Sequence, residues 1–147
     1  MLKIKFIGTG SAKVSLRRSF TSLLLETLNE KILIDCGDGI SRSLVQQNVE
    51  LNVINKILIT HLHSDHFSGI STLLTQFKLS NRINPIEIIS CKENIPIIKS
   101  FLFNSFIIPE RLNFEIRFVD LDFDVEVNLT DSLKFIARKN SHLTKYE

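Results

Sequence analysis

The sequence predicts an α/β layered sandwich built on a mixed sheet. Three observations predict it: an opening run of strands, amphipathic helices that begin only after that run, and short apolar strands that go on alternating with those helices. A doubly wound nucleotide-binding fold would place a helix directly after the first strand, and here a second strand follows instead. The 147 residues are enough for one domain with its own hydrophobic core, and the expectation is a single domain over residues 1–147.

Residues 2–7 alternate Leu2, Ile4 and Phe6 with Lys3 and Lys5, the period-two pattern of a strand whose apolar face is expected to be buried. Gly8-Thr9-Gly10-Ser11 opens a polar loop carrying Lys13, Arg17 and Arg18. Residues 20–28 and 31–36 read as strands joined at Asn29-Glu30, a pair suited to a tight hairpin turn. After Gly37-Asp38-Gly39, Ile40, Leu44 and Val45 recur at helical spacing. Residues 56–60 form a short β-rich strand, and Ile70, Leu73, Leu74 and Phe77 mark a second amphipathic helix. Residues 86–90 read as a buried strand. Ile97, Ile98, Phe101 and Leu102 follow on a helix with Pro96 in its first turn, where a missing backbone donor costs little. Residues 114–119, 125–127 and 133–137 complete the strands, and no repeat, linker or low-complexity tract divides the chain.

Composition narrows the function classes. Hydrophobic residues at 44% and charged residues at 23% suit a globular protein and are too apolar for a disordered one, while a net charge of +2 neither demands nor excludes a nucleic-acid partner. No apolar run approaches the roughly 20 residues that span a bilayer. Cys36 and Cys91 lie far apart in apolar stretches and read as buried free thiols. Charge at Lys3 and Lys5 interrupts any secretory leader, so the cytoplasm is the expected compartment.

The chemistry concentrates at His61-Leu62-His63-Ser64-Asp65-His66, where three of the four histidines and an aspartate leave one loop at the end of a strand. His61 and His63, two apart on extended backbone, project to one side and can share a metal; Asp65 and His66, past the turn, can reach a second. Imidazole nitrogen and carboxylate oxygen suit zinc, with manganese or iron as alternatives. A lone histidine at a strand end is more often structural, but the clustering reverses that preference. Gly8-x-Gly10 with a later acid at Asp35 invites a dinucleotide reading. It fails because position 13 is Lys and a strand follows where a helix should begin. Asp35 is instead a turn former or the acceptor of a hydrogen bond from a ligand imidazole. Lys13, Arg17 and Arg18 read mainly as a solvated loop tip.

His61-x-His63-x-Asp65-His66 after a strand, followed by Gly69, resembles the signature of the metallo-β-lactamase superfamily. Gly8-Thr9-Gly10-Ser11, the Arg and Ser of the next loop, and residues 34–39 (Ile-Asp-Cys-Gly-Asp-Gly) resemble its ribonuclease Z-like branch. The resemblance implies the αββα sandwich of that superfamily, with mainly its first half present in residues 1–147. It also implies two zinc ions per complete site, with His142 joining His61 and His63 at the first metal and Asp65 and His66 serving the second. Asp65 would orient the nucleophile, a metal-activated hydroxide. The implied activity is a phosphodiesterase or endoribonuclease acting on precursor transfer RNA or a small phosphodiester, in a protein that is a homodimer when complete. Thioester or lactam hydrolysis is the alternative chemistry, and a non-catalytic half-domain serving as a binding or assembly module is the alternative class. The family pattern also needs a bridging aspartate and a further histidine from a second half, so the 147-residue chain is expected to be a fragment that binds metal weakly.

Overall fold

The structure is a computed structural model that describes residues 1–131 and 133–139. Among the described residues, eight strands and four α-helices appear in the order β1 (Lys3–Gly8), β2 (Ser22–Glu26), β3 (Lys31–Ile34), α1 (Ile40–Gln46), β4 (Lys56–Leu58), α2 (Ser64–Phe67), α3 (Ile70–Leu79), β5 (Ile86–Cys91), α4 (Asn94–Asn104), β6 (Ile116–Leu121), β7 (Glu126–Thr130) and β8 (Leu133–Ile136). The mixed sheet expected from the sequence is present. Six strands lie side by side in chain order, β1 to β3 antiparallel and β3 to β6 parallel, while β7 and β8 form a separate hairpin.

The two sheet faces have different partners. Leu24, Leu33, Ile57 and Ile88 join Ile40 and Leu44 of α1, Ile70, Leu73, Leu74 and Phe77 of α3, and Ile98 and Leu102 of α4 in the main core. The opposite face presents Ile32, Leu58, Ile89 and Leu121, which pack with Leu129 and, around it, Val127, Leu133 and Phe135 of the hairpin. Apolar surface on both faces of a sheet requires a layer on each side, and these layers are helices on one side and two strands on the other. Arg82, after α3, is buried in the main layer. Its guanidinium donates to the carbonyls of Asn84, Asn52 and Pro85 and stands 4.8 Å from the Phe77 ring centre.

Several sequence expectations change in detail. The apolar face of β1 is not buried: Ile4 is 52% and Phe6 64% exposed, and Leu2 is exposed too. Strand β1 is the edge of the sheet, and Ile4 and Phe6 pair in register with Leu25 and Leu23, on the face whose hairpin cover packs around Leu25 and Ile34 and does not extend to β1. Val45 is 59% exposed because α1 turns only Ile40, Ser43 and Leu44 inward. Ile97 likewise faces out, with Ile95, Ile98 and Leu102 facing in. Strand β3 stops at Ile34 because Asp35 takes a left-handed backbone conformation, φ 60°, which no strand sustains.

Phe77 is fully buried between the helical layer and Arg82, so Phe77→Ala should cost about 3–5 kcal/mol. Val45→Ala should change stability by no more than about 0.5 kcal/mol. Urea unfolding of the two variants checks this ranking, and comparable losses would contradict the assignment of the α1 faces.

Candidate metal centre

Parallel strands β3 and β4 end at the same edge of the sheet, and the two segments that leave them are bonded to each other. The Asp35 amide donates to the Leu58 carbonyl at 2.8 Å, the Cys36 amide to the His66 carbonyl at 2.6 Å and the Gly69 amide to the Cys36 carbonyl at 2.9 Å. This approach depends on glycine. A Cβ at Gly37 would land on the Asp65 carbonyl, and one at Gly69 on the Gly37 carbonyl, so each glycine clears space for the other loop's backbone. The chain then turns into α2 and α3, with the His66 amide donating to the His63 carbonyl at 2.8 Å.

Buried Asp35 organises the side chains. Its Oδ1 accepts the Thr60 amide at 2.8 Å, and the Thr60 hydroxyl lies 2.9 Å from each carboxylate oxygen. Oδ2 lies 2.6 Å from His66 Nδ1. Asp35 combines a left-handed backbone, φ 60°, with a carboxylate set against the His66 ring. His61 Nδ1 stands 3.0 Å from the Thr60 hydroxyl, and its Nε2 stands 3.2 Å from His63 Nδ1. The His61 and His66 rings are 4.0 Å apart between centroids, and His66 Nε2 is 3.4 Å from Asp65 Oδ2. His61, His63, Asp65, His66 and Asp35 are therefore brought together, while His142 lies outside the described residues.

These residues can be compared with what a metal requires. Two imidazole nitrogens each about 2.0–2.1 Å from one tetrahedral zinc stand about 3.3 Å apart, and His61 Nε2 and His63 Nδ1 are 3.2 Å apart. Among the described residues no three His, Cys, Asp or Glu side chains are already arranged to close on one ion. The donors fit a metal as pairs: His61 with His63, and Asp65 with His66. Neither cysteine belongs to the group. Burial, then the neighbouring Asp35 charge, pushes the Cys36 thiol far above its ordinary range, and burial foremost raises Cys91 as well.

A cleft of about 790 Å³ runs from these histidines between the sheet and the hairpin, with Thr60, His61 and His66 at one end and Leu58, Leu121 and Phe135 among its apolar walls. Lys134, Arg138 and Lys139 also line it, whereas exposed Lys13, Arg17 and Arg18 do not. Sequence reasoning missed Thr60, whose hydroxyl touches both Asp35 and His61. Its position immediately before the first histidine was the available signal.

A family model described as "Anti-Pycsar protein Apyc1" matches residues 2–115. Among curated proteins, the ribonuclease Z of Streptococcus uberis (strain ATCC BAA-854 / 0140J) is 35% identical over 152 residues, covering 96% of this chain and 47% of its own length. Among solved structures, the short form of human tRNase Z superposes with a TM-score of 0.68 at 31% identity, covering 82% of this chain and 45% of that one. The metallo-β-lactamase-fold protein YhfI from Bacillus subtilis superposes with a TM-score of 0.67 at 14% identity, covering 86% and 49%, a likeness of fold. The chain spans less than half the length of these curated relatives, between 36% and 47%.

The contact between the two loops leads to a test. Gly69→Ala should destabilise the chain by more than about 1 kcal/mol, because its methyl group meets backbone that cannot swing away. Thermal unfolding checks this, and a midpoint equal to that of the unsubstituted chain would contradict it.

Proposed function

The chain belongs to the Anti-Pycsar protein Apyc1 family as a ribonuclease Z-like protein of the metallo-β-lactamase fold, and from that premise we propose that it forms the front part of a metal-dependent phosphodiesterase. The observation that carries the proposal is the pairing of His61 Nε2 with His63 Nδ1 at 3.2 Å beside an Asp65–His66 pair, with His61 and His66 lining one cleft. RNA is the proposed substrate class. It follows from the printed names of the relatives, ribonuclease Z and tRNase Z, and precursor transfer RNA is its specific form.

In this reading His61, His63 and His142 hold a first metal, and Asp65 and His66 contribute to a second, zinc being the ion that the nitrogen and oxygen donors favour. Such metals, when bound, supply a water acidic enough to be a nucleophile at neutral pH and a charge that stabilises the transition state. The chain's own residues do the positioning. Asp35 fixes the His66 ring through Nδ1, leaving Nε2 toward Asp65. Asp65, buried in the first turn of α2 with its carboxylate 3.4 Å from His66 Nε2, would help hold the second metal and orient the nucleophile. The apolar walls of the cleft lower the local dielectric, which strengthens each of these interactions.

Residues 1–147 are proposed to be the N-terminal part of a longer sandwich, acting in the cytoplasm as a homodimer. The remaining metal ligands then come from further chain or from a partner. Among the described residues no helix is long and apolar enough to cross a membrane.

The test uses the full-length protein loaded with zinc or manganese, on bis(p-nitrophenyl) phosphate and on precursor transfer RNA. Hydrolysis should fall by at least about 100-fold in His63→Ala, together with metal content. Inactivity of the loaded, unsubstituted protein on both substrates would remove the phosphodiesterase reading.

A further inference from the structure

We propose that Thr60 is a positioning residue that holds His61 in its Nδ1–H tautomer, so that one buried carboxylate, Asp35, sets the proton of a histidine in each of the two metal positions. This deepens the metal-centre reading and rests on it.

The Asp35 carboxylate is buried and only accepts hydrogen bonds. The Thr60 hydroxyl lies 2.9 Å from both of its oxygens and carries one proton, so that proton faces Asp35. The lone pairs of the hydroxyl oxygen then remain for its other neighbour, His61 Nδ1, at 3.0 Å. His61 Nδ1 must therefore be the donor, and in the neutral ring Nε2 carries the lone pair. That nitrogen is the one facing His63 Nδ1 at 3.2 Å. In the opposite tautomer the Thr60 proton would turn to His61, and hydroxyl lone pairs would stand against a buried carboxylate with nothing between them. The low local dielectric makes that arrangement costly.

Asp35 treats His66 in the same way without an intermediary. Its Oδ2 is 2.6 Å from His66 Nδ1, so Nδ1 donates and Nε2 is left toward Asp65 Oδ2 at 3.4 Å. The Thr60 amide, donating to Oδ1 at 2.8 Å, fixes the carboxylate plane that makes both contacts. A ligand histidine commonly has its second nitrogen held by an acceptor, and losing such a contact typically costs about 10- to 100-fold in metal affinity. Here one carboxylate serves two rings, and the Thr60 hydroxyl extends its reach to the second.

The test compares Thr60→Val, which keeps the shape and loses the hydroxyl, with Thr60→Ser, which keeps the hydroxyl. Long-range 1H–15N spectra of the metal-free chain report the His61 tautomer, and cobalt(II) titration reports affinity. In the unsubstituted chain and in Thr60→Ser, His61 should carry its proton on Nδ1. In Thr60→Val it should populate both tautomers, with cobalt affinity about 10- to 100-fold weaker. The proposal is overturned by an Nε2–H His61 in the unsubstituted chain, by an unchanged tautomer in Thr60→Val, or by a Thr60→Ser variant as altered as Thr60→Val. If Thr60→Val does not fold, Thr60→Ala takes its place in the same comparison. Failure of the unsubstituted full-length protein to bind cobalt at all would refute the metal reading instead, and the tautomer comparison decides the Thr60 proposal either way.

Discussion

A carboxylate removed from water must be given donors, and Asp35 receives them from both ends of one loop. The Thr60 amide and hydroxyl arrive from the end of β4, and His66 Nδ1 from inside α2. Its own backbone, left-handed at φ 60°, ends β3 and aims the side chain across the sheet edge rather than along the strand. Removing any one of these donors would leave a buried charge short of a partner, which costs far more than the bond itself contributes. The loop from His61 to His66 is therefore held by electrostatics at its centre and by Gly37 and Gly69 at its margins, where backbone meets backbone too closely for a side chain.

The fold supplies the setting for this arrangement. Because β3, β4 and β5 run parallel, their C-terminal ends collect Asp35, the histidine loop and Cys91 on one edge, where the intervening helices all cover the opposite face. The other face is apolar at Ile32, Leu58, Ile89 and Leu121, under the β7–β8 hairpin. The cleft between that face and the hairpin opens onto the histidines. A site built this way has rigid strands behind it and an apolar wall beside it, the combination that favours charge chemistry at fixed positions.

Much of this was legible in the sequence, for identifiable reasons. The alternation of strands and helices follows from apolar periodicity, and Ile70, Leu73, Leu74 and Phe77 all point inward as their spacing requires. The histidine cluster is local in sequence, so its proximity needed no tertiary knowledge. The contact between Asp35 and His66 joins positions 31 apart and depends on two strands ending in register, which periodicity does not encode. Strand β1 misled for the opposite reason. Its alternation is that of a half-buried strand, yet the residues expected to be buried, Ile4 and Phe6, lie on an edge beyond the reach of the hairpin. Pattern reports which face is apolar, and only topology reports what covers it. Thr60 escaped notice because one hydroxyl beside a histidine has no signature until the carboxylate it faces is in place.

On the proposed reading, the Asp35-anchored loop presents imidazole nitrogens that converge on a metal. X-ray absorption spectroscopy of the chain equilibrated with zinc tests it most directly. The expected first shell contains at least two imidazole nitrogens at about 2.0–2.1 Å, with the outer-shell scattering typical of histidine rings. A shell of oxygen alone, without that imidazole signature, would contradict it.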